Sequence, residues 1–175
     1  MRRITLITTG GTMEKEYDER SGTLVNRRSV VDQMLRGLRL EDTVIAPMEL
    51  LQKDSLDISE SDRELIVHAV RNSAEGQSDG IQRAVVIVHG TDTLEKTGEK
   101  IYAEIPDPAC PIVITGAMRP YELSKSDAVQ NLTEAIFATS VLPNGVYCVA
   151  HGRALAFPGV IKDRTRGTFV KNSRN

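Results

Sequence analysis

Residues 4–12 have the sequence ITLITTGGT, which joins a short apolar run to a glycine pair and a threonine. Residues 4–9 predict a buried strand, because β-branched residues dominate them. Gly10 and Gly11 allow a sharp turn and a close approach of a ligand to the backbone. Thr12 then follows the carboxyl end of a strand, where ligands bind in open α/β sheets. Taken alone, the motif favours a simpler interpretation. It would be a tight turn in which the side chain of Thr12 forms hydrogen bonds with backbone amides.

Two further stretches repeat this construction. Residues 84–88 (AVVIV) form an apolar run of strand length and lead into His89-Gly90-Thr91-Asp92-Thr93. Residues 112–115 (IVIT) lead into GAMRP at 116–120. Such continuous apolar runs are typical of parallel strands buried on both faces. Because parallel strands end at one edge of their sheet, the three loops should gather threonine hydroxyls and Asp92 into one cleft.

The rest of the chain alternates between strand and helix patterns. Helical spacing occurs near residues 30–38, 61–70, 94–103 and 127–139, and further strands are expected at 44–51 and 146–150. Pro47 suggests an irregular or edge strand, and residues 154–162 suggest a hairpin. The prediction is a single α/β domain over residues 1–175, a Rossmann-like three-layer fold with a parallel sheet and helices on both faces.

Residues 13–22 are charged and lack periodicity, which predicts a solvated, mobile loop. The loop ends at a Ser-Gly turn signal and follows Thr12 directly, so it is a candidate lid. Tyr17 is the one aromatic residue of this loop. A side chain that packs on the protein surface is as good an interpretation of Tyr17 as a functional side chain.

Composition excludes several classes of function. The 175 residues are 40% hydrophobic and 26% charged with a net charge of −2, which predicts no binding of nucleic acid or of an anionic membrane. Neither a signal peptide nor a run of transmembrane length is evident, so a cytoplasmic protein is expected. The two cysteines, Cys110 and Cys148, are expected to be buried thiols.

Metal and cofactor sites find no support in the sequence. His68, His89 and His151 lack metal-ligand spacing, and the glycine motifs match neither a Walker A loop nor a dinucleotide fingerprint. The prediction is therefore a protein without a metal or another cofactor.

The three glycine motifs together resemble those of the L-asparaginase family. The matching segments are TGGT at 9–12, HGTDT at 89–93 and TGAMRP at 115–120, and the likeness extends to about Phe169. The resemblance implies hydrolysis of L-asparagine to L-aspartate and ammonia through a threonine nucleophile.

The resemblance also implies a catalytic group. Thr12 would attack the side-chain amide carbon, and Tyr17 would help to move its proton. Thr91 would be hydrogen bonded to Lys162, and Asp92 would bind the substrate ammonium group. Without the family, Lys162 would be interpreted as a surface lysine in a basic segment.

The substrate pocket is implied in the same way. Ser55 resembles the serine that binds the substrate α-carboxylate, with Asp54 beside it, although an Asp-Ser pair alone is more often a turn or helix cap. Backbone amides near Gly11 and Gly90 are candidate donors to the tetrahedral oxyanion.

Longer family members carry a C-terminal domain from which a neighbouring protomer completes the pocket, and that domain is expected to be absent here. A homo-oligomer, a dimer or a tetramer, is nevertheless expected. Two alternatives stay open: a related glutaminase or amidotransferase-type amide hydrolase, and a catalytically silent amino-acid-binding domain.

Overall fold

A six-stranded sheet forms the centre of the protein. The computed structural model describes residues 1–74 and 80–172. The sheet has the order β4-β1-β5-β6-β7-β8. Its strands are β1 (Arg2–Gly10), β4 (Thr43–Lys53), β5 (Gln82–Val88), β6 (Pro111–Thr115), β7 (Gly145–Ala150) and β8 (Arg153–Ala156). All neighbours are parallel except β7 and β8, so the predicted parallel sheet is confirmed with one antiparallel edge.

Helices cover both faces of this sheet, as predicted. They are α1 (Val31–Arg36), α2 (Glu60–Ala74), α3 (Leu94–Glu104) and α4 (Ala128–Ala138). One apolar cluster includes residues of α2 and α3, and the other includes residues of α1 and α4. The central strands are buried on both faces, which explains their continuous apolar sequences.

Strand β4 lies at one edge of the sheet, which accommodates Pro47 and confirms that prediction. Pairing of β1 with β4 shifts in register between Thr8 and Gly10. This irregularity comes just before the glycine turn, so the chain leaves the sheet at the point where Thr12 begins a short 3₁₀ turn, Thr12–Glu14.

Two predictions of local structure are wrong. The segment predicted to be a loop contains the 3₁₀ turn and strand β2 (Glu16–Asp18), which pairs with β3 (Thr23–Val25). The predicted hairpin at 154–162 does not form either. Strand β8 pairs with β7, whereas β9 (Val160–Asp163) pairs with β10 (Thr168–Lys171) in a separate two-stranded sheet.

Candidate active site

Three loops meet at the carboxyl edge of the sheet. Gly11 has φ 79°, and a Cβ atom built on it would lie 2.3 Å from the Cα atom of Gly90. A Cβ atom on Gly90 would in turn lie 2.5 Å from the Cβ atom of Ser55. The loops that follow β1, β4 and β5 are therefore in backbone contact, and glycine is required where they cross. The predicted meeting of the loops after β1, β5 and β6 is confirmed, because a Cβ atom on Gly116 would lie 2.4 Å from the carbonyl oxygen of His89. The loop after β4, which that prediction did not include, joins them.

The turn that carries Thr12 is fixed from several sides. The Gly11 amide donates to the carbonyl of Lys53 at 2.9 Å, and Asn26 Nδ2 donates to the Gly11 carbonyl at 2.9 Å. The Gly10 amide donates to Glu14 Oε2 at 2.9 Å. Thr12 itself is half-buried, in a turn that these hydrogen bonds hold in place.

A lysine connects the second loop to the small β9–β10 sheet. Lys162 Nζ donates to Thr91 Oγ1 at 2.7 Å and to Asp92 Oδ1 at 2.9 Å. Thr91 is buried, and the Lys162 side chain is only 14% exposed. The structure thus brings three of the predicted residues into one hydrogen-bonded group, although Lys162 is distant from the others in sequence.

Helix α3 holds the lysine segment in place. Glu95 Oε2 accepts from the Lys162 amide at 2.8 Å, and Glu99 Oε1 accepts from the Gly159 amide at 2.6 Å. This helix begins directly after the HGTDT loop. A single element therefore sets the distance between Thr91 and Lys162.

Asp92 faces two cations. The hydrogen bond from Lys162 lowers the pKa of its carboxyl, and the guanidinium of Arg164, at 2.7 Å from Oδ1, adds to the effect. Both cations contact Oδ1. No hydrogen bond to Oδ2 occurs within the part of the chain that the structure describes, so this oxygen is free to accept from a ligand.

The loop after β4 supplies Asp54 and Ser55. Ser55 is 2% exposed, and its carbonyl accepts from Thr93 Oγ1 at 2.7 Å. Asp54 Oδ1 accepts from the Leu56 amide at 3.0 Å, which is a helix-cap geometry. Its Oδ2 accepts from Lys15 Nζ at 2.5 Å.

Charge links Asp54 to the rest of the group. Hydrogen bonding from Lys15 is the main cause of its lowered pKa, and the charge of Lys162 contributes to the same shift. Asp54 is therefore close to the lysine that bonds Asp92.

Tyr17 lies in the exposed β2–β3 hairpin. It is 52% exposed in β2, and its amide donates to Glu122 Oε2 at 2.6 Å. Its hydroxyl lies 4.0 Å from the position of a Cβ atom on Gly22, the turn between β2 and β3. Among the described residues, no hydrogen bond joins this hydroxyl to Thr12.

Sequence reasoning missed Lys15, Arg164, Glu95 and Glu14. Lys15 and Arg164 stand in charged stretches where every residue suggests solvent exposure. Glu14 follows Thr12 by two positions but is fully buried. In the sequence, only the apolar Met13 before it distinguishes Glu14 from the charged residues that follow. A single apolar neighbour does not predict that a glutamate is buried.

His89 has a structural role and is not arranged as a metal ligand. It is fully buried, Nδ1 lies 2.8 Å from the Gly90 carbonyl, and Nε2 lies 2.9 Å from Thr97 Oγ1. Burial lowers its pKa to about 4, so the ring is neutral at pH 7.

The remaining candidates for reactive or ligand-binding groups are inert or scattered. Burial raises the pKa of Cys110 to about 11 and that of Cys148 to about 12, which disfavours thiolates. Within residues 1–74 and 80–172, no three His, Cys, Asp or Glu side chains are arranged to hold a metal ion. None of the helices in these ranges is long and apolar enough to cross a membrane.

The fold and these contacts define an α/β domain with a threonine-rich site at the carboxyl edge of its sheet. A family model described as "Asparaginase, N-terminal" matches residues 3–171. The chain belongs to the asparaginase family.

Individual relatives agree with this assignment. An L-asparaginase of Thermococcus kodakarensis is 35% identical over 175 residues, 99% of this chain and 51% of that protein. The solved structure of the thermostable L-asparaginase from the same organism superposes with a TM-score of 0.82 and 27% identity, covering 97% of this chain and 51% of that one.

Another relative has a different described activity. A component of the glutamyl-tRNA(Gln) amidotransferase of Methanococcus vannielii is 27% identical over 154 residues, 87% of this chain and 35% of that protein. The chain thus spans between about a third and a half of the length of these relatives.

Proposed function

We propose that this domain hydrolyses the side-chain amide of L-asparagine to L-aspartate and ammonia, with Thr12 as nucleophile. The observation that carries the proposal is the Thr91–Lys162–Asp92 group beside the turn of Thr12. Lys162 Nζ lies 2.7 Å from Thr91 Oγ1, and Gly11 and Gly90 bring the two threonine loops into contact. A threonine hydroxyl needs such a neighbouring proton-transfer partner to become nucleophilic.

The reaction proceeds through an ester. Thr12 Oγ1 attacks the amide carbon while its proton passes to Thr91 Oγ1, and the hydroxyl proton of Thr91 passes to Lys162 Nζ, which takes part in this step as the neutral amine, with Tyr17 assisting at the rim. That proton passes to the leaving nitrogen, and ammonia departs. Water then adds to the ester carbon, and cleavage of its bond to Thr12 Oγ1 releases aspartate and restores the hydroxyl.

Substrate binding uses the charged groups around the cleft. Asp92 Oδ2 accepts from the substrate ammonium group, while Ser55 and the cation Lys15 beside Asp54 bind the α-carboxylate. Amides of the Gly11 and Gly90 loops stabilise the oxyanion. No step requires a metal or an organic cofactor.

A coupled ammonia assay on the purified chain tests the proposal. L-Asparagine, L-glutamine and small peptide amides are supplied in turn, and release of ammonia from L-asparagine with the highest kcat/KM is expected. Absence of ammonia from every amide would reject the amidohydrolase function.

The amidotransferase relatives favour a second candidate, an amide hydrolase that supplies ammonia to a glutamyl-tRNA partner. It predicts that glutamine is preferred, or that turnover requires the partner and the charged tRNA. A silent binding domain predicts thermal stabilisation by asparagine without ammonia. The assay with and without these components separates the three functions.

A homo-oligomer and a cytoplasmic location complete the proposal. Cys110 and Cys148 are both free thiols, which suits a reducing compartment.

A further inference from the structure

A small acidic pocket lies between β1, β4 and the start of α1. Its volume is about 230 Å³, and its lining residues are Thr8, Ser29, Asp32, Pro47 and Glu49. Thr8 and Glu49 are paired neighbours on β1 and β4, so their side chains project from the same face of the sheet. None of the lining residues is a lysine or an arginine.

A buried polar atom without a partner lines this pocket. Thr8 is 1% exposed and lines the pocket, yet Thr8 Oγ1 has no hydrogen-bond partner. Buried hydroxyl groups are normally hydrogen bonded, so one that lines a pocket and has no partner points to a ligand that hydrogen bonds to it.

Charge defines the kind of donor. The lining residues Asp32 and Glu49 are exposed, and Glu14 lies close to Ser29 and Glu49. Burial raises the pKa of Glu14 to about 7, and repulsion by Glu49 adds to this shift. A cation that enters the pocket would be attracted by the carboxylates of Asp32 and Glu49 and repelled by no lining base.

Geometry distinguishes a nitrogen cation from a metal ion. No group of carboxylates in the described residues is arranged to bind a metal. Hydroxyl and carboxylate acceptors spread around a small pocket instead suit the three N–H donors of a primary ammonium group.

We propose that this pocket binds a small primary ammonium ion, with ammonium itself as the smallest member of the class. Thr8 Oγ1, Ser29 Oγ and the carboxylates of Asp32 and Glu49 accept its hydrogen bonds. The site is separate from the cleft in which Asp92 binds the substrate ammonium group. It is adjacent to Glu14, which holds the Gly10 amide at 2.9 Å.

Thermal unfolding of the full chain tests the proposal with methylammonium chloride as the probe. At ten times the dissociation constant, one saturated site should raise the Tm by roughly 3 to 6 °C. Sodium, potassium and tetramethylammonium chlorides at equal concentration control for ionic strength. An equal or unsaturable shift in these salts would overturn the proposal.

Variants locate the binding site. Thr8→Val should raise the Tm without ligand, because it removes an unpartnered buried hydroxyl, and should abolish the response to methylammonium. Glu49→Gln should weaken the response, and Glu64→Gln on the exposed face of α2 should leave it unchanged. Thr12→Ala should retain the full response, because the pocket does not depend on the cleft. A response that survives Thr8→Val and Glu49→Gln, or disappears in Thr12→Ala, would contradict the assignment.

Discussion

Lys162 illustrates what an individual residue contributes to the site. By sequence it stands among basic residues near the end of the chain, and only its contacts reveal a partly buried ammonium group between Thr91 and Asp92. The motif residues Thr12, Thr91 and Asp92 could be placed at strand ends from sequence, because each follows an apolar run. The distance from Lys162 to Thr91 could not be predicted from sequence, because it depends on the hydrogen bonds by which α3 holds β9.

Replacing Lys162 by methionine keeps the length of the side chain but removes its charge and donors. We expect kcat for ammonia release to fall by at least about 100-fold, the usual contribution of a positioned proton-transfer group. The pKa of Asp92 should rise toward its ordinary value, because its main stabilising donor is lost. Lys96→Met, on an exposed part of α3, is the control. Activity of Lys162→Met within twofold of wild type would remove Lys162 from the mechanism.

Glu14 should make stability depend on pH. Its folded-state pKa of about 7 exceeds the ordinary value of 4.5, so the folded protein keeps a proton that the unfolded chain releases. Stability should therefore fall as pH rises from 4.5 to about 7. The full difference is about 3 kcal/mol.

Glu14→Gln does not titrate and still offers an oxygen to the Gly10 amide. Its stability relative to wild type should rise across the same pH window, as measured by urea unfolding at pH 5 and pH 8. His89, whose pKa is lowered to about 4, gives a trend of opposite sign, but this trend cancels in the comparison. Parallel stability curves for the two proteins would show that Glu14 is ionised in the fold.

At the scale of elements, the apolar strands were predictable and the short polar ones were not. Strands β1, β5 and β6 are recognisable because burial on both faces leaves a continuous apolar run. The β2–β3 hairpin has no buried residue, so its sequence shows no alternation of apolar and polar residues. The predicted hairpin at 154–162 was wrong because β8 pairs with β7 and β9 pairs with β10. The local sequence does not indicate these partners.

The crossing of the two threonine loops makes Gly11 irreplaceable. Gly11→Ala combines a positive φ with a Cβ atom only 2.3 Å from Gly90 Cα, so we expect a loss of about 3 kcal/mol or more. Gly22→Ala is the control for a positive φ without a close contact, because Gly22 has a φ of 68° and the nearest atom to an added Cβ lies at 4.0 Å. It should cost only about 1 kcal/mol. Equal losses in urea unfolding would show that the loops are not in tight contact.

At the scale of the whole molecule, the order of strands explains why residues far apart in sequence form one site. Strand β1 lies between β4 and β5, so the loops with Ser55, Thr12 and Thr91 leave adjacent strands at one edge. The chain spans about half the length of the L-asparaginase relative it matches.

A homo-oligomer is expected because family pockets lie near contacts between protomers. Light scattering coupled to size exclusion should give two or four times the mass of one chain. Ammonia release should then depend on protein concentration near the dissociation range of the oligomer. A monomer with full specific activity would contradict this expectation.

Ammonia release by Thr12 variants tests the central claim most directly. Wild type, Thr12→Ala and Thr12→Ser are compared with L-asparagine, and circular dichroism verifies that all three are folded. The account predicts no turnover in Thr12→Ala and reduced but measurable turnover in Thr12→Ser, which keeps a hydroxyl at the turn. Near-normal ammonia release by folded Thr12→Ala would contradict the account.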